Sequence, residues 1–499
     1  MSTAEFLVNA KAGPESRQTA NRMRNYWRAA DAAVLLVYST VVIYAVGYHE
    51  KWADEAQAWL LARDLSLKTL WFHELRYEGT PGLWHTLLWV AQRVFHAGYD
   101  SFGYIGAACA ILGAAWLVFR APFPRAIRWL AAFSYFYVYQ YAVVARPYVL
   151  FALFSLIIAE RFRDGKRPAL FALSLAPLAM LTAHGSLMAF TLGIVYAVKF
   201  VRRWREHNGR ERKQFVWALC SVTVMYVFLL VVLFPAKDTE ATHNIPLTHQ
   251  VITSRIETGL GGALVDNRWL SAVVLALFAV WCYRRKALAS LLLPLVPVVG
   301  LYAYIGWEHQ QGTIFLVILT ALAIAWPSEE ERTAFAAGEK RDYQVVITVL
   351  GFVLCYQVYM AGRIIRNDIH LPYCGAQNAA QYLRPLVQQH KVIYGYQYGM
   401  VAVNGYFDQN IFANWPHAYY HHSAHEFDAT NVGPEIARGR PDYVVSNWWD
   451  ELDSESFRAG QLLPMKNLGY SLVHGSNGYL LTKGGYTFRQ FYFVFKRNQ

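Results

Sequence analysis

The chain has 499 residues, of which 55% are hydrophobic and 16% are charged, and its formal net charge is +12. Soluble globular domains are about one quarter charged, so this composition excludes a soluble protein and predicts a polytopic membrane protein. The basic residues cluster in short loops between apolar runs, which indicates a positive-inside distribution and no nucleic-acid partner.

Residues 1–30 are polar and basic and are predicted to form a cytoplasmic N-terminal segment. The apolar stretch that follows is long enough to span a bilayer, which predicts a retained signal anchor and not a cleaved signal peptide. Apolar runs of spanning or near-spanning length lie at 31–48, 103–119, 128–144, 147–160, 168–183, 185–200, 214–233, 268–282, 287–304, 312–326 and 343–361.

A further apolar run, 83–95, is shorter and contains His85 and Arg93. With the N-terminus inside, the basic loops all fall in the cytoplasm only if 83–119 crosses the membrane once. We therefore predict that 83–95 is an interfacial or re-entrant helix, that about eleven helices cross the membrane, and that the C-terminus is exported. Residues 31–361 then form the transmembrane domain, and 49–102 are its first exported loop.

The tail, 362–499, changes character and predicts a small extracytoplasmic α/β domain. A helix is expected at 375–384, and short strands are expected at 392–396, 442–445, 470–473 and 479–482. The stretch 415–425 is rich in histidine, and its irregular spacing favours a polar surface loop over a metal site. The loop 235–267, which includes His243, is predicted to lack structure of its own and to be a lid.

An acidic pair, Asp54–Glu55, follows the first apolar helix at the water interface. Two carboxylates at this position suit an enzyme that acts on a lipid-borne substrate. Partial desolvation moves the pKa of such a carboxylate toward neutrality, as a general base requires. The alternatives are a helix N-cap for Asp54 and a favourable first-turn charge for Glu55.

The pair is followed by aromatic residues and then by the motif Glu78-Gly-Thr-Pro-Gly-Leu-Trp84. Together with the many helices, these features resemble the GT-C superfamily of membrane glycosyltransferases, such as protein O-mannosyltransferases and aminoarabinose transferases. The resemblance implies polyprenyl-phosphate-sugar donors and juxtamembrane helices in the first exported loop. It also implies that Asp54, with Glu55 beside it, is the catalytic base or the group that orients the acceptor.

Seven other residues fall on the same, non-cytoplasmic side and are candidates for binding the donor phosphate or the substrate: Arg76, Glu78, Arg146, Tyr148, His184, Glu308 and His309. The guanidinium of Arg146 could bind two phosphate oxygens through two of its nitrogens. The alternative is that the Arg146 side chain only extends to the lipid headgroups. His184 is either a substrate contact or a hydrogen-bonded loop histidine. Placing the ionisable pair Glu308–His309 at the membrane edge costs free energy, and such residues usually have a function. This favours a role for the pair as a phosphate, acceptor or metal contact.

The sequence thus predicts an inverting glycosyltransferase in the cytoplasmic membrane, which moves a sugar from a polyprenyl phosphate to a hydroxyl of a lipid, glycan or protein acceptor. The lack of P-loop and GxGxxG motifs argues against a nucleotide cofactor, and a divalent metal is left open. One alternative is a lipid-linked-sugar transporter or flippase, which would carry charges along a path through its spans. The other is a glycan polymerase or ligase.

Overall fold

The computed structural model describes residues 14–239, 248–423, 431–449, 460, 462–481, 483 and 487–498. Helices dominate up to residue 370, as the long apolar runs predict. The longer helices of this part are α1 (Pro14–Tyr48), α2 (Ala53–Asp64), α3 (Leu83–Phe95), α4 (Phe102–Arg120), α5 (Arg125–Ala132), α6 (Phe151–Asp164), α7 (Pro168–Ala179), α8 (Ala183–Arg202), α9 (Gly209–Leu233), α10 (His249–Leu264), α11 (Arg268–Arg284), α12 (Leu288–Ile305), α13 (Gln311–Ala325) and α14 (Ala337–His370).

Within the described residues, seven helical segments are long and apolar enough to cross a membrane. They are formed by α1 from Asn21 onward and by α4, α8, α9, α12, α13 and α14. An eighth span results if α10 and α11, which are bent by 69° relative to each other, are counted together. The described chain is therefore a helical protein with several apolar segments of membrane-spanning length, as a polytopic membrane protein requires. α1 begins at Pro14, so residues 14–30 of the polar segment predicted at 1–30 are helical and continue without a break into the first apolar segment, whereas residues 1–13 lie outside the described part of the chain.

The described residues contain seven or eight segments of membrane-spanning length and not about eleven. Three of the predicted apolar runs form shorter helices, and a fourth, 268–282, counts only as part of the bent pair of α10 and α11. The run 128–144 is interrupted after Ala132 and continues in a π-helical turn, Phe136–Gln140. The run 147–160 starts with a 3-10 turn at Pro147, and the run 168–183 is helical for only 12 residues. α3, at the run 83–95, has 13 residues and is not among the candidate spans.

The loop 235–267 is not the unstructured lid that the sequence predicts, because α10 occupies its second half. The Thr248 hydroxyl caps this helix by accepting the backbone N–H of Val251 at 3.3 Å. Gly259 and Gly262 let α10 approach its neighbours closely, since a Cβ atom at either position would collide with Tyr302 or Gln311. Residues 240–247, which include His243, lie outside the described part of the chain.

The C-terminal domain combines helices with one four-stranded sheet, as the sequence predicts for an α/β unit. Its longer elements are α15 (Ala376–Gln388), β1 (Ile393–Tyr396), α16 (Met400–Asn404), α17 (Val432–Gly439), β2 (Tyr443–Trp449), β3 (Tyr470–Leu481) and β4 (Thr487–Arg497). The strand order is β1-β2-β4-β3, with β1 and β2 parallel and the other pairs antiparallel. The two strands predicted at 470–473 and 479–482 belong to one strand, β3. Strand β4 was not predicted from the sequence.

The C-terminal domain is packed tightly onto the first loop of the transmembrane part. Apolar side chains of α2, including Leu60 and Leu61, share a buried cluster with Val401 of α16 and with Tyr420. The Gln57 side chain donates to the Tyr420 carbonyl at 2.6 Å and accepts its N–H at 2.9 Å. Two parts of the chain that are distant in sequence therefore fold against each other.

A buried carboxylate, Glu50, completes this docking at the start of α15. It accepts three backbone N–H groups: those of Cys374 at 3.0 Å, Gly375 at 2.7 Å and Gln377 at 2.7 Å. The N-terminal end of a helix presents unpaired N–H groups and a partial positive charge, which a carboxylate satisfies. Glu50 is 7% exposed, so water does not compete for these bonds.

We expect Glu50→Gln to lower the free energy of unfolding by about 1.5–3 kcal/mol, the usual contribution of a hydrogen bond to a charged group. The amide of glutamine has only one acceptor oxygen. Its NH₂ group would face backbone N–H groups that now donate to Glu50, so at least one of these hydrogen bonds would be lost. The measurement is thermal or denaturant unfolding, with limited proteolysis of the tail. Glu339→Gln is the matched control, because Glu339 also caps a helix start but lies exposed in α14. Equal stability of the two variants would contradict the docking role.

Candidate active site

Asp54 lies in the first turn of α2 and contacts residues from two other parts of the chain. Its Oδ2 is 2.9 Å from Nη2 of Arg146, and its Oδ1 accepts a hydrogen bond of 3.1 Å from the Tyr398 hydroxyl. The Asp54 side chain is 25% exposed and that of Arg146 is 14% exposed. α2 begins here because the extended Trp52 precedes it and two acidic residues occupy its first turn.

Arg146 is held in one orientation by two aromatic rings. Its guanidinium carbon is 5.5 Å from the ring centre of Trp52 and 5.6 Å from that of Tyr148, distances at which cation–π attraction operates. Nη2 forms the ion pair with Asp54. Nη1 is buried and has no hydrogen-bond partner among the described residues. The guanidinium therefore has one donor group in use and one available.

Three more buried nitrogens around Arg146 have no partner in the described part of the chain: Nε1 of Trp52 and Nε2 of both His184 and His309. The His309 ring is 5.8 Å from the Tyr148 ring, and His309 interacts electrostatically with Arg146 and His184. Each unsatisfied buried polar group costs about 1–3 kcal/mol, and native proteins contain few of them. Nη1 of Arg146 and Nε1 of Trp52 are donors, and each histidine Nε2 donates when it carries the ring proton. With the histidines in that form, the four nitrogens suit a ligand rich in hydrogen-bond acceptors, such as a phosphate group.

Glu308 and His309, predicted as one pair, lie in different surroundings. The backbone carbonyl of His309 accepts the Tyr141 hydroxyl at 2.8 Å, which fixes the turn before α13 next to Tyr148. Glu308 is instead within electrostatic range of Lys483, which the C-terminal domain inserts between the helices. His309 therefore belongs to the Arg146 group, and Glu308 belongs to a separate contact between the domains.

Glu78 is a second carboxyl group near Asp54. It ends the helical turn Leu75–Glu78 and accepts a 2.7 Å hydrogen bond from the amide of Gln57. Burial raises the pKa of Glu78, and the nearby charge of Asp54 acts in the same direction. Arg76 belongs elsewhere: its Nε donates to the carbonyl of Phe234 at 3.1 Å, which ties this turn to the end of α9.

Two histidines of the stretch 415–425 lie against the helical turns that end at Glu78, whereas residues 424 and 425 of this stretch are outside the described part of the chain. Nδ1 of His421 is 2.7 Å from a carboxylate oxygen of Glu74, and Nε2 of His422 is 3.9 Å from Glu78. These histidines were predicted to lie in a surface loop, yet both face carboxylates of the first loop. Among the described residues, no group of three or more His, Cys, Asp or Glu side chains is arranged to hold a metal ion.

Glu55, predicted to be catalytic together with Asp54, is fully buried and has donors at both oxygens. Oε1 accepts the backbone N–H of Ala145 at 2.8 Å, and Oε2 is 3.0 Å from Nε2 of His49. Nδ1 of His49 is in turn 2.8 Å from Asp368, near the end of α14. Burial by itself lowers the pKa of His49, but Asp368 and Glu55 outweigh it and raise this pKa to about 10. His49 is therefore charged at neutral pH.

Sequence reasoning missed Tyr398, His49 and Asp368. Tyr398 carries little local signal, although it follows β1 directly and its neighbour Gln397 adopts a left-handed φ of 78°. His49 and Asp368 carried a usable signal: each is an ionisable residue at the end of a long apolar helix. Such residues are costly unless they are paired, so the two ends should have been considered together.

Comparisons with known protein families, with curated proteins and with solved structures found no match for this chain.

Proposed function

We propose that this chain is an integral-membrane glycosyltransferase of the GT-C type, which moves a sugar from polyprenyl phosphate to an acceptor hydroxyl. The observation that carries the proposal is the Arg146 guanidinium. One of its nitrogens holds the Asp54 carboxylate, and another is buried near His184 and His309 and has no hydrogen-bond partner among the residues that the structure describes. A proton acceptor and an anion-binding position on two sides of one cation suit a reaction that expels a phosphate.

In the proposed reaction, the acceptor hydroxyl gives its proton to Asp54 while its oxygen attacks the anomeric carbon of the donor. The bond between that carbon and the phosphate oxygen breaks, and polyprenyl phosphate leaves with the electron pair. Attack from the side opposite the leaving group inverts the anomeric centre. Arg146, His184 and His309 receive the charge that develops on the phosphate, and their fixed orientation favours the transition state.

A lipid-borne donor is supported by an apolar groove of about 240 Å³ between α7, α8 and α9. Residues such as Phe190, Tyr226 and Leu230 line it. The Tyr226 hydroxyl donates to the Ser186 carbonyl at 2.8 Å, two residues from His184. A residue that lines the groove is thus bonded to the same helix end that presents His184. We propose that part of an isoprenoid tail binds in this groove and that the phosphate head extends from it toward Arg146.

In the proposed topology, the N-terminus is cytoplasmic and the C-terminal domain lies on the extracytoplasmic side of the cytoplasmic membrane. The charges at the two ends of the helices support this orientation. α8 begins at the candidate site with His184 and ends with Lys199 and Arg202, and α6 follows Tyr148 and ends with Arg161 and Arg163. Basic residues thus gather at the ends opposite the site, as the positive-inside rule requires.

The test is transfer from a panel of radiolabelled polyprenyl-phosphate sugars by the purified protein in proteoliposomes, with membrane extract as the source of acceptors. We expect sugar-dependent turnover that releases polyprenyl phosphate. Donor that moves between leaflets without transfer to any acceptor, at the same rate in Asp54→Asn, would assign the chain to the transporters instead. Transfer of an assembled glycan from a pyrophosphate carrier would assign it to the polymerases and ligases.

A further inference from the structure

The two residues of the Asp54–Arg146 pair sit on separate segments that a single buried side chain connects. Glu55 follows Asp54 in α2, and its Oε1 holds the backbone N–H of Ala145, the residue before Arg146. Its Oε2 holds the backbone N–H of Trp52 at 3.3 Å. Glu55 is therefore bonded to the residue next to Arg146 and to the residue whose ring lies against Arg146.

We infer that Glu55 is a positioning residue, which fixes Asp54 and Arg146 in register through a buried charge network formed by Glu55, His49 and Asp368. The inference rests on the proposed function, because it assigns the network the task of holding that reacting pair. Glu55 does not itself contact the substrate in this assignment, since it is fully buried and both of its oxygens are engaged.

The network demands a carboxylate at position 55. Three groups face it, and all of them donate: the backbone N–H groups of Trp52 and Ala145, and the imidazolium of His49. A glutamine has the same shape but offers one acceptor oxygen, so its NH₂ group must turn toward at least one of these donors. Either Ala145 or the Trp52–His49 side then loses its partner, and the Asp54–Arg146 geometry changes.

The positive charge of His49 offsets the free-energy cost of burying two carboxylates, those of Glu55 and Asp368. It lies between Glu55 and Asp368, and its ring packs edge-on against Tyr373 at 4.5 Å between centres. The Tyr139 hydroxyl donates to Asp368 at 3.1 Å. The network therefore reaches from the reacting pair to the end of α14, from which the chain continues into the C-terminal domain.

The pH dependence of unfolding provides a readout that an ordinary packing role would not change. The folded pKa of His49 is about 10 and its ordinary value is 6.5. The folded state therefore binds an extra proton between these values, and its stability falls as the pH rises from 6.5 to 10. Without the charge of Glu55, the folded pKa of His49 is lower, so this fall ends at a lower pH.

The experiment compares wild type, Glu55→Gln and Glu55→Asp in lipid nanodiscs. Three quantities are measured: transfer rate, affinity for sugar-free decaprenyl phosphate, and unfolding midpoint from pH 6 to 10.5. We expect Glu55→Gln to lower kcat about 100-fold, as a small misplacement of reacting groups does, and to end the pH-dependent fall in midpoint earlier than in wild type. Glu55→Asp keeps the negative charge, but its side chain is one methylene shorter, so the carboxylate lies farther from Ala145 and His49. This variant should lower kcat while the pH curve keeps the wild-type form.

Glu257→Gln is the matched control, because Glu257 makes an exposed pair with Arg268 and should change neither transfer nor the pH curve. Wild-type transfer rates in both Glu55 variants would overturn the positioning role, as would midpoint curves for Glu55→Gln that run parallel to wild type. Failure of the proposed function looks different. In that case wild type itself transfers no sugar, whereas the pH curves still report on the network.

Discussion

Asp54→Asn is expected to lower kcat for sugar transfer by about 10²- to 10⁴-fold, the range that a positioned general base contributes. The amide cannot take the proton of the acceptor hydroxyl. If its oxygen keeps the bond from Tyr398, its NH₂ group replaces the oxygen that is now 2.9 Å from Arg146. Arg146 remains between Trp52 and Tyr148, and its Nη1, which has no partner in the described part of the chain, stays available to the phosphate. Donor binding therefore persists, and the loss falls on kcat.

Asp64→Asn is the matched control for this variant. Asp64 ends the same helix and pairs with the neighbouring Arg63 at 2.6 Å, away from Arg146. We expect it to transfer at the wild-type rate. Single-turnover kinetics and equilibrium binding of decaprenyl phosphate separate chemistry from affinity. A kcat for Asp54→Asn within tenfold of wild type would place the base elsewhere, and Glu78 would then be the next carboxyl to test.

Arg146→Lys is expected to lower kcat/KM by about 10²- to 10³-fold, the effect of removing one donor to a developing negative charge. A lysine ammonium is a compact point charge. It cannot hold Asp54 with one nitrogen and a phosphate with another, and it does not stack on the rings of Trp52 and Tyr148 as a planar guanidinium does. This variant should therefore also weaken the binding of decaprenyl phosphate, which Asp54→Asn leaves intact.

The control for the lysine variant is Arg268→Lys, which makes the same change in the exposed pair with Glu257. Exposed ion pairs contribute little, so we expect wild-type transfer and stability from this control. The decisive measurement is the Kd for decaprenyl phosphate. An unchanged Kd in Arg146→Lys would mean that the phosphate binds at another position, and the assignment of the unpaired nitrogens would then be wrong.

The transmembrane helices were predictable where an apolar run was long and free of breaks. α9 and α14 are examples, because a run of that length has no other way to satisfy its backbone in a membrane. The prediction of spanning helices was wrong where an apolar run does not form one continuous helix. The run 128–144 is apolar, yet it forms part of a short helix, a π-helical turn and an irregular segment, and this segment leads to Arg146 beside Asp54. Departures from regular structure are expected near a functional site.

The candidate site was predictable in part. The charge rule grouped Asp54, Arg146, His184 and His309 on one side of the membrane, and these residues lie close together. It could not separate Arg76 from them, because the bond of Arg76 to Phe234 depends on how two distant segments pack. Nor could it tell that Glu55 is buried while its neighbour Asp54 is partly exposed, since adjacent helix positions differ only in the direction they face.

The contact between Asp54 and Tyr398 joins positions 344 residues apart, and this separation has a consequence in time. At about 5–20 residues per second, a ribosome needs roughly 20–70 s to proceed from one to the other. Until then, Asp54 has no phenol beside it, and Glu50 has no helix to cap. In the proposed enzyme, the site around Asp54 is therefore incomplete until Tyr398 has been synthesised and has folded back onto the first loop.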